Sequence, residues 1–128
     1  KRENSPTDIS AVIFLPNNKK RGDVTRLKLL SDIYLEAFQL AYSGQYWKAM
    51  TLNGVLTSSL LSNSYTITRM CLENGALAAS ISGNGPAIAA VVRESEVQKI
   101  KSVLSNLDGR VIISRTNNQK ASTVREVG

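Results

Sequence analysis

Histidine is absent from this 128-residue chain, and cysteine and tryptophan occur once each, at Cys71 and Trp47. Each scarcity closes a class of chemistry. Without histidine the chain contains no histidine general base and no Ser-His or Cys-His pair. One cysteine and no histidine leave no zinc ligand set, so no metal site is expected within the chain. A lone cysteine makes no internal disulfide, which fits a reducing, cytoplasmic compartment. Aromatic residues make up 5% of the chain, and none interleave with the basic residues as a single-strand stacking platform would require. No apolar run approaches the roughly 20 residues that span a bilayer. Residues 1–10 are polar and charged, unlike a signal sequence. Neither nucleic acid nor membrane is therefore an expected partner.

What remains has the composition of a globular domain. Hydrophobic residues make up 42% and charged residues 20%, ordinary proportions for a chain long enough to bury one core. The net charge of +6 is dispersed, with one dense cluster at Lys19-Lys20-Arg21 that reads as a solvated loop. The chain opens on lysine, and its first segment, Lys1 to Ser10, reads as a linker from a missing N-terminal domain. A domain over residues 11–115 and a polar tail over 116–128 complete the expected division.

The pattern of apolar residues gives an element order. Ala11 to Leu15 is β-branched and aromatic, ends at Pro16 and reads as a buried strand. A polar loop leads to Asp23, a helix cap. Val24, Leu27, Leu30, Tyr34, Phe38 and Ala41 then recur at helical spacing until Ser43-Gly44. A second helix is expected over roughly 45–62, with Trp47 and its leucines as core. A third runs from near Ser64 to Asn74-Gly75, with Cys71 as a buried small hydrophobe. Ala76–Ser82 and Ala87–Arg93 read as strand, turn, strand. Ser95 is the expected cap of a fourth helix with an apolar stripe at Val97, Ile100, Val103, Leu104 and Leu107. Val111 to Ile113 forms a last strand. The order β, three helices, ββ, α, β does not alternate strictly. It predicts an α+β fold in which an antiparallel sheet of about four strands is covered by helices.

Gly75 to Val92 is the most informative stretch. Small residues fill it around a Ser82-Gly83-Asn84-Gly85-Pro86 turn. Two glycines one residue apart free the backbone for positive φ and close approach, and such a turn can point N–H groups at an anion. On spacing alone it reads as a plain hairpin turn between two buried strands. Asn53-Gly54 is a second irregularity, two poor helix formers inside an apolar helix. Asn53 either offers a polar group to a substrate hydroxyl or faces solvent beside a close helix contact at Gly54. Arg69, Arg93 and Arg115 each read as surface arginines, and Arg69 lies in the helix that leads into the turn.

The order of elements, with Gly75-Ala76, Ala79, Ser82-Gly83-Asn84-Gly85-Pro86 and Ala90, resembles the C-terminal domain of the GHMP kinases, small-molecule kinases related to galactokinase, homoserine kinase and mevalonate kinase. Three further segments resemble the archaeal type of shikimate kinase within that family: Val12-Ile13-Phe14-Leu15-Pro16, Ala49-Met50-Thr51-Leu52-Asn53-Gly54, and Asp108 to Ile113 with Asn117-Asn118. The resemblance covers residues 10–118 and implies a ferredoxin-like fold. It implies an ATP-dependent phosphotransferase acting on a small alcohol, shikimate first and homoserine second. Ser82, Gly83, Asn84 and Gly85 fall on the family's third motif, near the nucleotide phosphates. Shikimate is a carboxylate, which arginine grips through two parallel bonds, so the resemblance makes Arg69, Arg93 and Arg115 candidates, Arg69 first, and Arg69, Asn53 and Arg115 are the expected substrate-binding residues. Asn84 departs from the small residue or threonine of many relatives. The family's main phosphate loop, catalytic acid and magnesium ligands belong to an N-terminal domain, so ATP and Mg2+ would be bound mainly there. No catalytic residue is expected in this chain, which should be inactive alone and, with its partner domain removed, prone to form a homo-oligomer. A non-catalytic small-molecule-binding or regulatory module is the alternative of a different class, since a fold alone never decides function.

Overall fold

The structure is a computed structural model that describes residues 3–18, 20, 22–61 and 64–125. Parts of four expected features lie outside those residues: the first two of the linker, Lys19 and Arg21 of the basic cluster, the last residue of the second helix, and the last three of the tail.

Four strands form one antiparallel sheet in the order β2-β3-β1-β4. They are β1 (Ile9–Pro16), β2 (Ala78–Ile81), β3 (Ile88–Arg93) and β4 (Gly109–Arg115). The helices are α1 (Ser31–Tyr42), α2 (Tyr46–Leu60), α3 (Thr66–Glu73) and α4 (Val97–Ser105). The α+β class and the four-stranded antiparallel sheet agree with the sequence pattern. Register follows from alternation: Val12 stands opposite Ala90 and Ile113, and Phe14 opposite Ile88 and Val111. With Ala79, Ile81 and Val92 these side chains make one face of the sheet, packed by Cys71 of α3 and by Val97, Ile100 and Leu104 of α4.

The opposite face is covered differently. Helix α2 lies over edge strand β2, and α1 packs on α2. Ala11, Ile13, Ala89, Val91 and Ile112 of the other strands stay half-buried. The expected stripe forms in part: Leu27, Leu30, Tyr34 and Ala41 are half-buried, whereas Val24 and Phe38 are exposed, Phe38 at 62%, and within α1 only Ala37 is fully buried. Trp47, expected in the core, is half-buried beside Phe38, Tyr42 and Tyr46. The buried face of α2 consists of Ala49, Gly54, Thr57 and Ser58. Close approach of α2 to β2 selects small residues there and leaves Trp47, Met50, Leu52, Leu56 and Leu60 half-buried at its margins, with Leu61 buried at its end.

Two glycines end helices as the sequence indicates. At the end of α1, Gln45 N–H donates to Leu40 O at 2.9 Å and Gly44 N–H to Ala41 O at 3.1 Å, with Gly44 at φ +89°. At the end of α3, Ala76 N–H donates to Cys71 O at 3.0 Å and Gly75 N–H to Leu72 O at 3.2 Å, with Gly75 at φ +98°. Both pairs have the 6→1 and 5→2 pattern that satisfies orphan carbonyls.

Three local expectations are corrected. The helix after Asp23 begins as a 3-10 segment, Val24–Leu30. Asp23 accepts from the Thr25 N–H at 3.0 Å and hydroxyl at 2.7 Å, a tight cap beside β-branched residues that favours the tighter winding. Ser95 caps nothing, because a 3-10 turn over Glu94–Glu96 precedes α4. The last strand is longer than expected and pairs with β1 from Ser10 to Pro16.

The terminal segments meet. Asn118 accepts from Ser5 N–H at 2.7 Å and donates to Ser5 O at 3.1 Å, while the Thr116 hydroxyl donates to Pro6 O at 2.7 Å.

Candidate phosphate-side site

Residues 82–87 join β2 to β3. Ser82 N–H donates to Ala87 O at 2.7 Å, and Gly85 N–H donates to Ser82 O at 3.0 Å, which closes a four-residue turn. Gly83 stands at φ +57° and Gly85 at φ +79°, both in the left-handed region that side chains resist. The Gly85-Pro86 peptide is cis. Open space surrounds the position of a Cβ at Gly83. The Gly83 and Asn84 amides and the Ser82 hydroxyl have no hydrogen-bond partner among the described residues, and all three residues are exposed. Two unpaired amides and a hydroxyl on a glycine turn are donors suited to phosphate oxygens.

A rigid floor holds the turn. Gly54 of α2 rests on Ser80 of β2, and a Cβ at Gly54 would fall 2.6 Å from Ser80 Oγ and 3.1 Å from Ser80 Cα. The loop after β1 is pinned in the same way, since a Cβ at Gly22 would fall 2.6 Å from Leu61 Cβ. Between that loop, the α2–α3 connection and the turn lies a cavity of about 330 Å³. Ile67, Ile81, Pro86 and Ile88 form its apolar wall, and Asn18, Lys20 and Ser64 contribute polar groups. No carboxylate lines it among the described residues. The sequence pattern did not single out Lys20, Asn18, Gly22 or Ser64. The dense basic cluster was the available signal, and it reads equally well as a solvated loop.

Ser82, Gly83, Asn84 and Gly85 stand together, while Asn53, Arg69 and Arg115 lie elsewhere. Asn53 lines a shallow cleft between α1 and α2 with Tyr34 and Met50. Arg69 is exposed and pairs with Glu73 at 3.6 Å; two residues past Ile67, it lies roughly 200° round α3 from the cavity wall. Arg115 pairs with Ser10 in the sheet and with Glu94 at 3.2 Å, at the end of the sheet away from the turn. Among the described residues no three His, Cys, Asp or Glu side chains converge as metal ligands. The amides and hydroxyl of the turn match the chemistry of phosphate oxygens, and no carboxylate among the described residues lines the adjoining cavity to hold a Mg2+ there. No helix of the described residues is long and apolar enough to cross a membrane.

Comparison with known proteins gives this turn a family. Residues 37–108 match the family model described as GHMP kinases C terminal. A shikimate kinase of Methanobrevibacter smithii is 37% identical over 110 residues, covering 84% of this chain and 38% of that protein. One from Methanosarcina mazei is 35% identical over 133 residues, covering 100% of this chain and 45% of that protein. The chain thus spans less than half the length of these relatives. Among solved structures, a phosphotransferase related to the CoA biosynthesis pathway superposes with a TM-score of 0.77 at 18% identity, over 99% of this chain and 44% of its own, a likeness of fold alone. The chain belongs to the GHMP kinase family and corresponds to its C-terminal domain.

Proposed function

We propose that this chain is the C-terminal part of an ATP-dependent shikimate kinase, which phosphorylates shikimate to shikimate 3-phosphate in aromatic amino-acid biosynthesis. The identity of 37% with a shikimate kinase across most of the chain carries this reading. ATP supplies the phosphoryl group, and phosphoryl transfer asks of a protein mainly positioning and charge stabilisation. The turn at Ser82–Gly85 contributes the Gly83 and Asn84 amides and the Ser82 hydroxyl as one wall against the phosphates. An N-terminal domain supplies the main phosphate loop, the catalytic acid and the magnesium ligands, and the half-covered sheet face and exposed apolar side chains of α1 are suited to a partner surface of that kind. Asn53, Arg69 and Arg115 stand away from the turn, and no contact with an acceptor beside it is assigned to them. A cytoplasmic enzyme is the reading that the one buried cysteine of this chain fits.

The test is an ADP-release assay on the whole gene product with shikimate and homoserine. Turnover with shikimate is expected, with kcat/KM at least 100-fold above that for homoserine. The 128-residue chain alone should release no ADP with either acceptor. Preference for homoserine, or no kinase activity in the whole protein, would refute the reading.

A further inference from the structure

The cavity beside the glycine turn is not explained by phosphate binding. We propose that it holds the acceptor and that the Lys20 ammonium is the counter-charge for the acceptor's carboxylate, a reading that rests on the shikimate kinase assignment. Three observations converge. The cavity abuts the turn: Ile81 and Ile88 flank it in sequence, and Pro86 belongs to it. An acceptor hydroxyl must meet the transferred phosphoryl group in line, so the acceptor must lie against the phosphate wall. Its volume of about 330 Å³ is at the lower end for small-molecule sites, and its walls are apolar with a few polar groups, the usual composition of such sites. The side chains of Ile67, Ile81 and Ile88 suit the carbon face of a six-membered ring, whereas a polyphosphate would gain nothing from them.

Charge distinguishes the ends of the cavity. Lys20 lines the loop side and makes no ion pair among the described residues, and it stands between Lys19 and Arg21 in sequence. No carboxylate of the described residues lines the cavity to neutralise it. Asn18 and Ser64 lie on the same lining and can bond the second carboxylate oxygen or a ring hydroxyl. Arg69, by contrast, faces Glu73 on the outer side of α3. Lys20 is thus a specificity-determining residue: it selects acceptors with a carboxylate and takes no part in moving the phosphoryl group.

The experiment uses the whole enzyme and the variants Lys20→Ala and Lys20→Arg, with shikimate and shikimate methyl ester as probes. In Lys20→Ala the KM for shikimate should rise roughly 10- to 100-fold, the loss expected for one charge-assisted hydrogen bond. The KM for ATP should move less than about twofold, and Lys20→Arg should restore most of the affinity. The wild type should prefer shikimate to its methyl ester, and Lys20→Ala should lose that preference. Lys20 is exposed, so folding should survive the change, and a thermal melt checks it. An increase confined to the ATP KM would give the cation to the nucleotide phosphates and overturn the inference. Unmoved constants with an active wild type would also overturn it while leaving the kinase assignment intact. A wild type that does not phosphorylate shikimate would instead overturn the assignment and this inference together.

Discussion

Gly54 and Ser80 bring helix α2 and strand β2 into backbone contact: a Cβ at Gly54 would lie 2.6 Å from Ser80 Oγ and 2.9 Å from Ser80 Cβ. The obstruction is the root of the serine side chain, which cannot swing away. Gly54→Ala should therefore destabilise the protein although alanine is the better helix former. Overpacking of this kind costs about 1–3 kcal/mol, and the helix propensity gain returns about 1 kcal/mol. Since a Cβ 2.6 Å from the serine oxygen and 2.9 Å from its Cβ lies at the severe end of that range, denaturant unfolding of the whole enzyme should show a net loss of up to about 2 kcal/mol. Adding Ser80→Gly should recover part of it. A neutral Gly54→Ala would mean that α2 can lift from β2 freely.

Gly83 differs, because space is open around it and only its φ of +57° resists a side chain. Gly83→Ala should cost about 1–2 kcal/mol of stability, the usual penalty for the left-handed region. If its amide faces phosphate, relaxation of the turn should lower kcat about tenfold and leave the shikimate KM within about twofold. Equal losses in both constants would assign the turn to the acceptor instead.

These two glycines show what the sequence could and could not disclose. The turn was legible because Gly-x-Gly-Pro between apolar runs has few alternative conformations. The ends of α1 and α3 were legible for the same reason, as Gly44 and Gly75 each take a positive φ. The face of α2 was not. Periodicity assigned its large apolar residues to the core, yet the contact with β2 selects Ala49, Gly54 and Ser58 and leaves Trp47 half-buried. A pattern of hydrophobicity does not encode the distance between a helix and a sheet. The cavity at Lys20 was hidden for another reason. Its walls come from β1, the α2–α3 connection and the hairpin, segments far apart in the chain.

Cys71 offers a pH test with a definite sign. It is fully buried in the core, and burial pushes its thiol from about 9 in the open chain up to about 11. Below pH 9 the thiol is neutral in both the folded and the unfolded protein, so it adds no pH dependence. Above pH 9 the unfolded chain ionises first and folding stability falls, with the loss complete near pH 11. Two pKa units correspond to about 2–3 kcal/mol. Unfolding curves of wild type and Cys71→Ala should diverge over that window, because the variant lacks this one component of the slope. Iodoacetamide at pH 8 should label the thiol slowly in native protein and rapidly in urea. Parallel pH slopes for the two proteins would show that the thiol titrates normally.

Gly22 links the packing of the basic loop to the acceptor cavity. A Cβ there would lie 2.6 Å from Leu61 Cβ and 2.7 Å from Leu61 O, so neither side can yield by rotating a side chain. Leu61 is fixed in turn by its N–H bond to Thr57 O at 2.9 Å, and Thr57 bonds the Tyr34 hydroxyl at 2.9 Å. The loop must therefore move rather than α2, and Lys20 lies two residues from Gly22. Gly22→Ala should raise the shikimate KM by roughly tenfold, since misplacing a positioning group by about 1 Å is costly, and it should leave the ATP KM nearly unchanged. The decisive measurement is the double variant with Lys20→Ala. If Gly22 acts by placing Lys20, the second substitution adds little to the first, because the two changes remove one interaction. If the losses multiply, the loop contributes to the acceptor through a group other than Lys20.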